Sequence, residues 1–166
     1  SLPETIPEVA ARLTTLFGPI DSRSEAFLFD STHYYDREMG TPIRRWFFAF
    51  AGLIAPDRIA SIKTQTNALE AALAAHYTQV QRPANLDPGY LALGKVVLAS
   101  TKNFSHRVLI AEGIYAEVTL YFRRGHWCSF PWTFPDFRSG RYDPYFTSLR
   151  RIYHAQLKAK SPRDPS

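Results

Sequence analysis

Apolar residues Ile6, Val9, Leu13 and Leu16 recur three and four positions apart, which predicts an amphipathic helix over residues 3–17, stopped by Gly18-Pro19. A second stripe, Ile59, Ile62, Leu69 and Leu73, predicts a helix over 57–76 opened by Pro56-Asp57. A third, Phe146, Leu149, Tyr153 and Leu157, follows the capping pair Asp143-Pro144 and runs to about residue 160. Elsewhere the pattern shortens to strands. Residues 26–30 read as a short one, and 44–54, with Trp46, Phe47, Phe48 and Phe50, as a longer buried one after a polar connection over 31–42. Residues 81–90 read as a loop around Pro83 and Pro88-Gly89. Strands over 95–101, 106–111, 114–123 and 126–130 follow, turned by Glu112-Gly113 and Arg124-Gly125. This order predicts a single α+β domain over 1–160: a largely antiparallel sheet, an antiparallel meander in the second half, and three helices mainly on one face, with 161–166 as a tail.

Strand alternation sharpens the expectation. Two-residue turns at 112–113 and 124–125 put Leu109, Ala111, Ile114, Ala116, Val118, Leu120, Phe122 and Trp127 on one face, as core. The opposite face then carries His106, Tyr115, Glu117, Thr119, Tyr121, Arg123, His126 and Cys128. A slip of one residue would exchange the two sets.

Composition narrows the classes. A chain of 166 residues, 45% hydrophobic and 14% aromatic, supports one substantial core. Cys128 is the one cysteine, so an intramolecular disulfide and a cysteine-rich zinc module are excluded, and a reducing, cytoplasmic setting is expected. No apolar run reaches the ~20 residues of a membrane-spanning helix, and the first residues lack a signal-peptide pattern, so a soluble protein is expected. Net charge is +5, and all of the excess lies in residues 103–166. Such an excess suits either a phosphate-bearing partner or merely solvated helix surfaces.

Candidate chemistry concentrates between residues 85 and 117. Gly89 to Val96 matches G-x-x-x-x-G-K of a phosphate loop, but Val96 replaces the Ser or Thr that holds magnesium, and a strand rather than a helix follows. Asp87-Pro88-Gly89 makes a tight turn whatever the function. Lys102, His106 and Arg107 cluster with hydroxyls at a strand connection and could hold a phosphate or carboxylate. His106 and Glu117 share a predicted face, with Val108 opposite Glu117, and a carboxylate that fixes an imidazole makes a general base. No metal-ligand spacing is present. Cys128 reads as a small buried side chain rather than a nucleophile. Two loops rich in aromatics and charges, 32–40 and 132–138, could wall a pocket or plug the core.

T-x-Y-Y-x-x-E-M-G at 32–40, I-K-x-x-T-N-x-L-E at 62–70, N-L-D-P-G-Y at 85–90, L-A-S-T-K at 98–102, His106-Arg107, G-I-Y-A-E-V-T-L at 113–120 and W-T-x-P-D-x-R at 132–138 occur in that order. Together they resemble the prokaryotic family called domain of unknown function 4416, over nearly the whole chain. The resemblance brings no assigned chemistry; its members often carry the label GTP-binding protein, to which the imperfect phosphate loop lends little physical support. Similar sequences read W-T-Y-P-D-Y where this chain has Phe134 and Phe137, and they usually begin with an apolar strand before the first helix, a strand the resemblance leads one to expect ahead of Ser1.

Three functional readings stay open. The first is a small-molecule enzyme or ligand-binding domain for a phosphorylated or carboxylated, even nucleotide, ligand. His106, Glu117 and Asp87 would be its acid-base groups, and Lys102, Arg107, Glu38, Tyr35, Asn85, Tyr115, Asp136 and Arg138 its binding residues; no cofactor is specified. The second is an RNA-binding sheet using Tyr115, Tyr121 and Arg123 beside the basic helix with Arg150, Arg151, Lys158 and Lys160. The third is a non-catalytic structural or partner-binding subunit.

Overall fold

The computed structural model describes residues 3–30, 36–111 and 113–160. A 3₁₀ turn, Pro3–Thr5, leads into helix α1 (Ile6–Phe17), whose stripe Ile6, Val9 and Leu13 is buried while Leu16 stays exposed. Gly18 ends it at φ 91°, a left-handed conformation that a side chain would oppose. Two small antiparallel pairs follow: β1 (Ile20–Arg23) with β4 (Phe48–Phe50), and β2 (Phe27–Leu28) with β3 (Arg44–Arg45). Helix α2 (Asp36–Met39) lies between β2 and β3.

The strand expected over 44–54 is therefore broken in two. Ser24 causes the break: its N–H donates to the Phe47 carbonyl at 3.0 Å, while its Oγ accepts the Phe47 N–H at 2.9 Å. Phe47 is thus held by a buried serine rather than by a strand. Its ring packs against Phe27, Tyr142, Tyr145 and Phe146.

Helix α3 (Ile59–His76) starts after a 3₁₀ turn, Pro56–Arg58, and buries Ile59, Ile62, Leu69 and Leu73. The loop expected up to residue 90 instead ends in a strand, β5 (Gly89–Ala92), paired with β6 (Lys95–Ser100). Gly89 is required by packing, because a Cβ there would lie 2.4 Å from the Val97 carbonyl oxygen. The 89–96 segment is accordingly a β-hairpin, with no helix start for a phosphate.

β7 (Val108–Ala111), β8 (Ile114–Arg123) and β9 (His126–Ser129) complete the large antiparallel sheet. β8 is its spine: β6 lies along one side, and β7 and β9 share the other. Helix α4 (Pro135–Arg138) and the long α5 (Asp143–Lys160) close the chain, α5 with the predicted bounds. The result is one α+β domain. Among the described residues no helix is long and apolar enough to cross a membrane.

A bulge governs the sheet faces. Val96 lies opposite Leu120 but Val97 opposite Val118, so Thr119 is an extra residue in β8. Alternation consequently changes phase in mid-strand, and the two face sets expected from sequence are corrected. Leu120, Phe122 and Trp127 join Val96 and Leu98 against Phe137 of α4, Tyr142 in the turn before α5, and Phe146 of α5. Ile114 instead joins Ala99 on the opposite face, against Ile59 and Ala60 of α3. α1 packs on α3 through Val9, Leu13, Leu69 and Leu73. Both faces of the sheet are thus covered at its centre.

Candidate functional site

The phase change leaves Tyr115 and Glu117 on the α5 side of the sheet, at the end away from the aromatic core, opposite Ser100 and Leu98. Glu117 is almost completely enclosed, its side chain 1% exposed. One of its oxygens, Oε2, receives both Arg107 Nε at 2.7 Å and His106 Nε2 at 2.9 Å. The other, Oε1, accepts Thr119 Oγ1 at 3.2 Å. Sequence placed His106, Arg107 and Glu117 together, and the structure does so. The register differs by one residue from that expected, with Val108 opposite Ala116.

Arg107 is committed to this arrangement. Its side chain is 3% exposed, and Nη1 donates to Ser100 Oγ at 2.7 Å and to the Lys102 carbonyl at 3.0 Å. The rings of Phe104 and Phe134 lie 4.6 and 5.9 Å from the guanidinium. His106 differs. A carboxylate only accepts, so Nε2 donates to Glu117, and Nδ1 makes no hydrogen bond among the described residues. The Trp132 ring stacks parallel to the imidazole at 5.9 Å and is itself stacked on Phe130 at 5.1 Å, while Phe104 lies 5.9 Å away on a tilt. Phe104, Trp132 and Phe134 are each between 39% and 48% exposed and rim the cluster at the surface.

Thr133 fixes this rim. Buried between the two exposed rings, it donates from Oγ1 to the carbonyl of the bulged Thr119 at 2.8 Å and accepts the Phe130 N–H at 2.9 Å. The bulge therefore does two things: it turns the Thr119 hydroxyl to Glu117, and it gives the 131–134 loop a carbonyl to hold.

The remaining predicted residues fall into other groups. Asp136 is buried beneath the loop, paired with Arg45 and accepting the Tyr142 hydroxyl at 2.9 Å. Burial pushes the Tyr142 phenol up to about 12. Arg138 donates to the Pro131 carbonyl at 3.1 Å. Both residues hold the loop that carries Trp132 and Phe134, and neither reaches His106.

Asp87 and Asn85 belong to a third network, built on α3. Lys63 is 4% exposed and donates to the Leu86 carbonyl at 2.7 Å, with Glu70 and Asp87 oxygens at 3.8 and 3.7 Å. Glu70 accepts the Leu86 N–H at 2.7 Å and Arg82 Nη2 at 3.0 Å, and Asn85 Nδ2 donates to Asp87 at 2.6 Å. Glu38 joins through its carbonyl, which accepts the Arg82 N–H. The helix motif with Lys63 and Glu70 thus clamps the N-L-D-P-G-Y turn, and Asp87 is a turn residue rather than a partner of His106. Tyr35 lies outside the described residues.

Ser100, Thr119 and Thr133 complete the site without having been named as site residues from sequence, whereas Trp132 lies in the loop expected to wall a pocket or plug the core. All four sit inside the quoted motifs. Among the described residues no group of three or more His, Cys, Asp or Glu side chains is placed to hold a metal.

Fold and site together define a small α+β domain with a buried Glu–Arg–His cluster under an aromatic rim. Residues 1–153 match the family described as Domain of unknown function (DUF4416), and the chain belongs to that family. No curated protein and no solved structure matched it.

Proposed function

We propose that this domain binds a small anionic ligand, phosphorylated or carboxylated, at the aromatic-rimmed surface over His106, and that His106 acts there as a hydrogen-bonding or acid-base group. One observation carries the reading: a buried carboxylate orients His106 through Nε2 and leaves Nδ1 without a partner among the described residues, on an imidazole flanked by the exposed rings of Phe104 and Trp132. An imidazole fixed in this way has a defined tautomer, which a general base requires. Lys102, four residues before it on the same strand connection, would supply the charge for an anion. Arg107, Glu117 and Ser100 are positioning residues, since their polar atoms are turned to one another. The lone Cys128 supports a reducing, cytoplasmic setting.

The test is calorimetric and thermal-shift titration with inorganic phosphate, sugar phosphates, nucleotides and dicarboxylates. An anion that stabilises the wild type should lose roughly tenfold or more in affinity in His106→Gln, about the worth of one hydrogen bond to a charged group. The absence of stabilisation by any of these anions at millimolar concentration overturns the proposal.

A further inference from the structure

β7 is an outer strand, with β8 on one side and nothing hydrogen-bonded to it on the other among the described residues. Its four residues, Val108, Leu109, Ile110 and Ala111, are all exposed, Val108 to 68% and Leu109 to 57%. Edge strands of monomeric proteins are ordinarily blunted by charge, proline or a bulge that hides the edge. The strand itself carries no charged residue and no proline, and its one irregularity, the extra residue Ile110 between Leu109 and Ala111, leaves that side chain on the α3 face of the sheet with Ala116. The apolar surface also continues across the α3 face of the sheet. Ile110, Ala116, Val97, Tyr90 and Ile59 line a groove of about 310 Å³, bounded by Pro56 and Asp57. Exposed Val118 pairs with Val97, and exposed Leu53 and Ile54 immediately precede the Pro56 turn.

We infer that β7 and this groove form the interface of a homodimer, in which two copies of β7 pair antiparallel about a two-fold axis and make one continuous sheet. The occupant must be extended, must have an open edge of its own, and must be apolar on both faces. β7 meets all three conditions. A continuous sheet requires paired residues to share a face, so a register centred on Leu109 sets Val108 of one copy opposite Ile110 of the other and Leu109 opposite itself. Every such pair is apolar, so the strand is its own complement. At their exposures the residues of β7 with Leu53, Ile54 and Val118 amount to roughly 550 Å² per copy, and burying them twice gives about 1,100 Å², above the ~1,000 Å² that a specific interface must clear. With Asp57 the one Asp, Glu, Lys, Arg or His in the lining of the groove, the net charge of each copy is carried largely elsewhere.

Sedimentation equilibrium of the full chain from low to high micromolar concentration decides the matter. The wild type should be dimeric, and Leu109→Arg should weaken the dimer by roughly a hundredfold while leaving the circular dichroism spectrum unchanged. Val108→Lys, at the most exposed position of the strand, gives the same readout should Leu109→Arg fail to fold. Hydrogen exchange adds an independent mark: outward amides of β7 should be protected in the wild type and exchange freely in the variant. A wild type monomeric throughout, or a dimer that persists in a folded variant, overturns the inference. A heterologous partner on the same strand would show the first of these results.

Discussion

Glu117 and Asp136 show how two buried carboxylates of the same chain come to serve different ends. Each is nearly inaccessible and each is held by an arginine, Arg107 for one and Arg45 for the other. Removing one partner of such a pair strands the other charge away from water, so Glu117→Ala should cost about 3–5 kcal/mol in urea unfolding. The double variant Arg107→Met with Glu117→Met should recover much of that loss, because it leaves no charge behind. If the two single substitutions and the double one cost the same, the pair is not the source of the effect. Asp136 differs in bonding a phenol as well. Tyr142 is fully buried and titrates at about 12 in the folded protein, against 10.0 when free. Above pH 10 the unfolded chain loses this proton while the folded one retains it, so stability falls as pH rises towards 12, by roughly 2–3 kcal/mol at full titration. Tyr145, shifted upward for the same reason of burial, adds to the loss in the same direction. In Tyr142→Phe the slope of stability against pH above 10 should be visibly shallower than in the wild type.

At the scale of elements, the Thr119 bulge decides what the sheet can offer. It places Tyr115 and Glu117 on the same side as Leu120 and Phe122, and its free carbonyl receives Thr133. Thr133→Val keeps the shape but removes both hydrogen bonds and leaves that carbonyl buried without a partner. The expected cost is about 1–3 kcal/mol, with a red shift of tryptophan emission as Trp132 loosens from His106 and Phe130. Unchanged emission would show that ring packing alone holds the loop. Gly89→Ala tests the other edge of the sheet. Its Cβ would meet backbone, which cannot move aside as a side chain can, so the β5–β6 pairing should be disrupted at a cost of several kcal/mol.

The same elements show what was legible in the sequence. Turn signals marked the strand Ile114–Arg123 to the residue, and the Asp143-Pro144 pair marked the start of α5. The pairing of His106 with Glu117 was legible because both lie near one hairpin, where turn length sets the register. The bulge was not, since an extra residue in a strand leaves no compositional mark. Nor was the break at Phe47, which depends on Ser24, 23 residues away. Asp87 was placed with the wrong partners for a similar reason: Lys63 and Glu70 lie on a helix, and only the fold brings that helix beneath the turn.

For the whole molecule, the question is whether the excess of positive charge marks a nucleic-acid surface. Much of that charge is already engaged within the fold. Arg107 faces Glu117, Arg141 faces Asp30 at 3.1 Å, and Arg150 donates to the Leu93 carbonyl at 2.7 Å while lying over the Phe122 ring. Lys158 and Lys160 stand in the last turn of α5, where they complement the negative end of the helix dipole. The stacking platform is also divided. Tyr115 pairs with Ser100 and Tyr121 with Lys95, and the odd spacing of those two partners along β6 puts the tyrosines on opposite faces. A sheet that binds single-stranded RNA needs its rings and cations on one open face. The arrangement therefore predicts weak association with single-stranded RNA at low salt, lost at ~150 mM, with few counterions released. Fluorescence anisotropy with labelled oligonucleotides across a salt series measures this directly. A tight complex with a steep salt slope would show that the exposed rings of Phe104, Trp132 and Phe134 stack bases rather than frame a small anion, and the ligand of His106 would then be sought within a nucleic acid chain.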